Sequence, residues 1–158
     1  MSAALGTVAP MSKGKASNRP NVAASQQHLP FDVVIVQAPD GTVPMEVYLE
    51  SIPPQVAARI VTTAEAVADA PPYRFAGGGR REVMHGDMTG WYEIRVRFGS
   101  MHYRVFCLLD QQAKGRGPLL VMVDGRTKPN ATLLPDREYT RVRELGEFYL
   151  DTQPRPIA

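Results

Sequence analysis

A chain of 158 residues supports one domain with one hydrophobic core, because dividing it would leave two marginal halves. Its apolar content is ordinary for a globular protein, no apolar run approaches the ~20 residues a bilayer requires, and one cysteine excludes an internal disulfide. The net charge is only +2, yet residues 31–70 hold one cation (Arg59) against six anions while residues 71–143 hold thirteen cations against seven, so positive potential gathers along the central segment, as in a protein that grips phosphates with one face.

Residues 1–29 are rich in Ala, Ser, Asn, Gln and Gly without apolar periodicity, and they read as a mobile arm. No sustained apolar stretch follows their sparse charges, so a secretory signal is not expected. Phe31 to Val36 is a β-branched run closed by Pro39-Asp40-Gly41, which predicts a strand and a turn. Thr42 is the expected cap of a brief helix carrying Met45, Tyr48 and Leu49 on one face. Pro53 and Pro54 suit the first turn of a second helix, whose apolar stripe is Val56, Ile60, Ala64 and Val67, with Asp69-Ala70-Pro71-Pro72 ending it.

The stretch from Tyr73 to Gly90 lacks periodicity. Gly77-Gly78-Gly79-Arg80-Arg81 within it reads as a flexible basic loop, since it has no Gly-Lys-Ser/Thr ending of a phosphate-cradling loop. From Trp91 to Phe98 the pattern alternates, with Tyr92, Ile94, Val96 and Phe98 on one side and Glu93, Arg95 and Arg97 on the other. Gly99-Ser100 provides a two-residue turn of type II′, and Met101 to Leu109 returns as a strand holding Cys107 as core filler. Leu119 to Val123 makes a third antiparallel strand. Pro135 opens a last helix with Tyr139, Val142, Leu145 and Tyr149 on one stripe and Pro154 beyond its end.

Certain residues in that order carry a resemblance. The series Tyr92-Glu93-Ile94-Arg95-Val96-Arg97, Gly99-Ser100, Tyr103-Arg104-Val105-Phe106 and Arg126-Thr127-Lys128, followed by Pro135 and the last helix, resembles the phage-derived Gp49-like branch of the HigB/RelE toxin superfamily. The likeness runs from about Phe31 to Leu150. The chain departs from the branch in placing Tyr92, with Trp91 one position earlier, where Trp usually precedes Glu. It also has Gly125-Arg126-Thr127-Lys128-Pro129 in place of a Phe-x-Lys-Lys run, so that Lys128 alone matches a family lysine.

The resemblance implies an α+β, RelE/ParE-like domain over residues 30–151 with a tail at 152–158. Its sheet would be mainly antiparallel, of about four strands, with two N-terminal helices packed on it and a C-terminal helix. It implies a cytoplasmic toxin of a type II toxin–antitoxin system that cleaves mRNA on the ribosome, held in check by a helix-turn-helix antitoxin, with no membrane and no small-molecule cofactor. The same fold allows a ParE-like gyrase poison without chemistry, or a basic module that binds RNA or protein and cuts nothing.

His28, His85 and His102 lack the paired spacing of a metal motif, so the expected mechanism is metal-free. RNA cleavage of that kind needs a base for the ribose 2′-hydroxyl, cations for the charge growing on the phosphorane, and an acid for the departing 5′-oxygen. The candidate catalytic residues are Arg95, Arg104 and Lys128, the last by its match to a family lysine that binds phosphate or moves a proton. Arg97, Arg126, Glu93, His102 and Tyr92 are the candidate RNA-binding residues. Arg95 and Arg97 share a strand face, and His102 shares one with Arg104. Glu93 could act as base, but an exposed carboxylate among cations better suits orienting an arginine. Tyr92, Tyr103, Tyr139 and Tyr149 could stack on bases, although the last two also fit the core stripe of their helix. The competing reading of the arginines is a solvated sheet face paired to Glu93 and other acids.

Overall fold

The computed structural model describes residues 31–70, 81–83, 88 and 90–158, with backbone alone at 81–83. The expected arm, the Gly77–Arg80 portion of the basic loop, His28 and His85 lie outside the described residues. The elements run β1 (Asp32–Ile35), α1 (Pro44–Ser51), α2 (Pro54–Ala68), β2 (Arg81–Val83), β3 (Tyr92–Phe98), β4 (Met101–Asp110), β5 (Leu119–Pro129) and α3 (Asp136–Asp151). The α+β class is as expected. Among the described residues the sheet has five strands in the order β1-β5-β4-β3-β2, and it is mixed, because β1 runs parallel to β5 while the other pairs are antiparallel. Strand β2 falls in the stretch that reads as irregular in the sequence, where three residues are too few to show a period.

The helices divide between the two faces. On one, Met45, Tyr48 and Ile52 near α1 and Val56, Ile60, Ala64 and Val67 of α2 pack on Ile94, Val96, Tyr103, Val105, Cys107, Leu120 and Met122. The α2 stripe is the one the 3.6-residue period picks out, and each buried Val or Ile in it contributes about 1.5–3 kcal/mol. On the other face α3 lays Val142 and Tyr149 against Phe106, Leu108, Leu119, Val121 and Val123. Gly146 allows the Trp91 ring to lie against the helix backbone, in space a side chain would occupy.

Two local expectations change. Thr42 does not cap α1; its backbone N–H and its hydroxyl both donate to Asp40 Oδ1, at 3.0 and 2.7 Å, and close the turn. Val43 occupies the cap position without a side-chain cap bond, and Pro44, whose ring removes one of the unpaired first-turn N–H groups, begins the helix. Residues 152–158 are part of the folded body. Ile157 bridges Val36, the Ala158 N–H donates to the Ile35 carbonyl at 3.0 Å, and the Gln37 N–H donates to the Pro156 carbonyl at 2.8 Å. Arg155 binds Asp110 at 2.8 Å with both side chains nearly inaccessible (5 % and 2 % exposed), and Tyr149 donates its hydroxyl to the same carboxylate at 2.8 Å.

Candidate phosphate-binding face

Strand β3 turns into β4 at Gly99-Ser100, where Gly99 has φ +61° and Ser100 does not share the left-handed conformation, the pattern of a type II′ turn. That turn fixes the register so that Arg95 faces Arg104 and Arg97 faces His102. On the far side of β4, Arg104 faces Arg126 and His102 faces Lys128. Three strands therefore carry two parallel rows: an inner row of Arg95, Arg104 and Arg126, and an outer row of Arg97, His102 and Lys128. The rows are about two residue rises, or 6–7 Å, apart.

Both rows share a face because β5 contains a bulge. Phe106 pairs with Asp124 and Cys107 pairs with Met122, which leaves Val123 as an extra residue. Before it, Leu119, Val121 and Val123 face α3. After it the parity inverts, and Asp124 and Arg126 face α3 while the Thr127 hydroxyl meets Tyr48 on the opposite side at 2.9 Å. Without the extra residue, Arg126 and Lys128 would point under α1; re-aiming of this kind is a recurrent use of bulges.

The inner row is charge-balanced. Glu93 is 2 % exposed, not the exposed carboxylate its sequence context suggests, since strand pairing sets it beneath the arginines beside Phe106. Its Oε1 accepts from Arg95 Nε at 2.8 Å and from an Arg104 terminal nitrogen at 3.1 Å. Arg104 Nε lies 3.1 Å from Oε2 as an ion pair that lacks hydrogen-bond alignment. Arg104 also donates to the Tyr139 hydroxyl at 3.1 Å, and the Tyr139 ring stands edge-on to Phe106. Arg126 binds Asp124 at 2.8 Å and Glu138, in the first turn of α3, at 2.7 Å. Burial opposes the Arg126 charge, but these two carboxylates outweigh it and hold its pKa above the ordinary value. The bond from Arg126 in turn lowers Glu138, helped by Arg141 and Arg137.

The outer row differs. Arg97 is exposed, His102 and Lys128 are half-buried, and among the described residues none of these side chains has an ion pair or hydrogen bond with another. Desolvation and the charges of Lys128, Arg97, Arg104 and Arg95 push the His102 imidazole below its ordinary pKa, favouring the neutral form.

The two rows thus bring together seven of the eight candidates: Arg95, Arg104, Lys128, Arg97, Arg126, His102 and, beneath them, Glu93. Tyr92 is not among them. It packs against the α1–α2 core on the opposite face, as does Tyr103, so neither reaches a ligand on the rows. Strand alternation already grouped Tyr92 with Ile94 and Val96. Sequence reasoning missed Asp124, Glu138 and Tyr139 as partners of the inner row; the i, i+2 spacing of Asp124 and Arg126 was the available signal for the first. Arg137 and Arg141, both strongly exposed near Glu138, extend the cationic surface onto α3. Among the described residues no group of three His, Cys, Asp or Glu side chains converges as a metal set would, and no helix is long and apolar enough to cross a membrane. No protein-family model matches the chain, and neither does any curated protein or solved structure.

Proposed function

We propose that this chain is a metal-free, RNA-cleaving toxin of the RelE/HigB type, acting on mRNA held in the ribosome and neutralised by a helix-turn-helix antitoxin. The observation that carries the reading is the two-row cationic array, whose outer row has no acidic partner among the described residues. The order of strand, two helices, four antiparallel strands and helix supports a RelE/ParE-like fold.

In this reading Arg97 and Lys128 take the scissile phosphate between them. Neutral His102 removes the 2′-hydroxyl proton, and the 2′-oxygen attacks phosphorus to give a 2′,3′-cyclic phosphate. The bond to the 5′-oxygen breaks, and the Lys128 ammonium returns a proton to that oxygen. Arg95, half-exposed at the edge of the inner row, stabilises charge on the phosphorane. Arg104 and Arg126 are positioning residues, held by acids and holding the sheet surface in shape. Inducing the protein in cells and mapping RNA 5′ ends tests the proposal: new ends inside translated messages are expected, and cleavage by the purified protein on programmed ribosomes should leave 2′,3′-cyclic phosphate ends. Intact messages with gyrase-linked DNA breaks would point instead to a ParE-like poison.

The neutralised inner row favours one second reading, a module that holds RNA on this face without cutting it. That reading predicts protected but uncleaved messages in the same experiment.

A further inference from the structure

We propose that the groove between α2 and β3 is a second phosphate site, taking a backbone phosphodiester of the RNA strand as it leaves the two rows. The inference rests on the reading that this face binds RNA, and it adds a path for the flanking strand. Past the pairing of β2 with Tyr92–Ile94, Arg95 and Val96 of β3 line a groove against α2. The groove encloses about 310 Å³ and is lined by Arg59, Thr62, Thr63 and Arg95 over an apolar floor of Ala58 and Val96.

Three features suit a phosphodiester. Arg59, Thr62 and Thr63 lie at i, i+3 and i+4 on one helix, so a guanidinium and two hydroxyls share one face. Arg59 is the sole cation of residues 31–70, a segment with six acids, yet among the described residues it meets no carboxylate. Among the described residues its one bond is a long one, 3.5 Å, to the Arg97 carbonyl, which leaves donors of the fork for a ligand. Continuity is built in as well. Residue 97 puts its side chain in the outer row and its carbonyl against Arg59, and Arg95 belongs to both the inner row and the groove wall.

The test measures binding of a single-stranded RNA of about a dozen nucleotides across a salt series, for the full chain, Arg59→Ala and Lys114→Ala. Lys114 is an exposed cation in the β4–β5 loop, so its loss removes the same charge away from the groove. Arg59→Ala is expected to flatten the dependence of log K on log salt by about 0.7, the contribution of one single-strand phosphate. Lys114→Ala is expected to leave it unaltered. Equal slopes for the two variants, with RNA still bound, overturn the groove site and leave the nuclease reading standing. Should the chain bind no RNA, the nuclease reading falls, and inorganic phosphate followed by NMR decides the groove. Shifts at Thr62 and Thr63 that vanish in Arg59→Ala would keep a phosphate site with free phosphate as its ligand, and unshifted signals would overturn it.

Discussion

His102 stands between Arg97 on one neighbouring strand and Lys128 on the other, with Arg95 and Arg104 a row away. Desolvation and four nearby cations disfavour its protonated form, so it is neutral over a wider range than a free imidazole, whose pKa is about 6.5. The proposed mechanism makes His102 the base, and a base works only when neutral; the acid arm of kcat/KM, which reports the free protein, is therefore expected below about pH 6.5. A bound phosphate adds negative charge beside the ring and favours protonation, so the acid arm of kcat should lie at higher pH than that of kcat/KM. An unchanged acid arm in His102→Ala would remove the residue from the mechanism. Glu93 governs the row behind it. Changing Glu93→Gln removes the one buried charge that two guanidiniums share, and it is expected to cost about 2–3 kcal/mol in urea unfolding. A loss below 0.5 kcal/mol, the range of ordinary surface changes, would mean the inner row is not held by that carboxylate.

At the scale of elements, the bulge at Val123 does most to make the site and was the least visible in the sequence. Periodicity finds α2 and α3 because apolar residues every three or four positions can be buried by no other backbone. It finds the β3–β4 hairpin because alternation and Gly99-Ser100 agree. It cannot find one extra residue in a run as uniformly apolar as Leu119 to Val123, so Arg126 and Lys128 could be placed near the site by resemblance but not assigned a face. The same limit hid the role of residues 152–158, which are held by a long-range pair, Asp110 with Arg155.

Two expectations belong to these elements. Gly125, just past the bulge, lies under the Tyr48 ring, and a Cβ there would fall among the ring atoms. Gly125→Ala is accordingly expected to destabilise by about 1–3 kcal/mol, readable as a lower denaturation midpoint, whereas an unshifted midpoint would deny the contact. Asp110→Asn leaves Arg155 buried without its counter-charge and is expected to cost about 3–5 kcal/mol. Burial works against the Asp110 charge, but Arg155, the Gln112 N–H and the Tyr149 hydroxyl outweigh it, so its folded pKa is depressed. Its contribution is thus present above the unfolded carboxylate pKa, near 3.9, and is lost as pH falls through the lower folded value. The difference in stability between the native chain and Asp110→Asn should therefore shrink in that acid window, and a gap constant down to pH 2 would contradict the assignment.

Across the whole molecule, charge is sorted by use. Acids satisfy the inner row, whose arginines then serve the surface's shape, while the outer row keeps its positive charge unspent. This sorting makes stability and activity separable. Replacing Arg97, His102 and Lys128 together with Ala touches no ion pair among the described residues, so unfolding should change little beyond ordinary surface effects of about 0.5 kcal/mol per site. Growth arrest on induction should nevertheless disappear, because the proposed mechanism puts phosphate grip and proton transfer both in that row. Arg104→Ala should behave in the opposite sense: it strips the buried Glu93 of a partner and Tyr139 of a donor, so it lowers stability first and activity only through that loss. Measuring denaturation midpoints and growth arrest on both variants decides the division. A triple variant that still arrests growth, or one that unfolds like Arg104→Ala, would show that the outer row is scaffold and that the phosphate is held elsewhere.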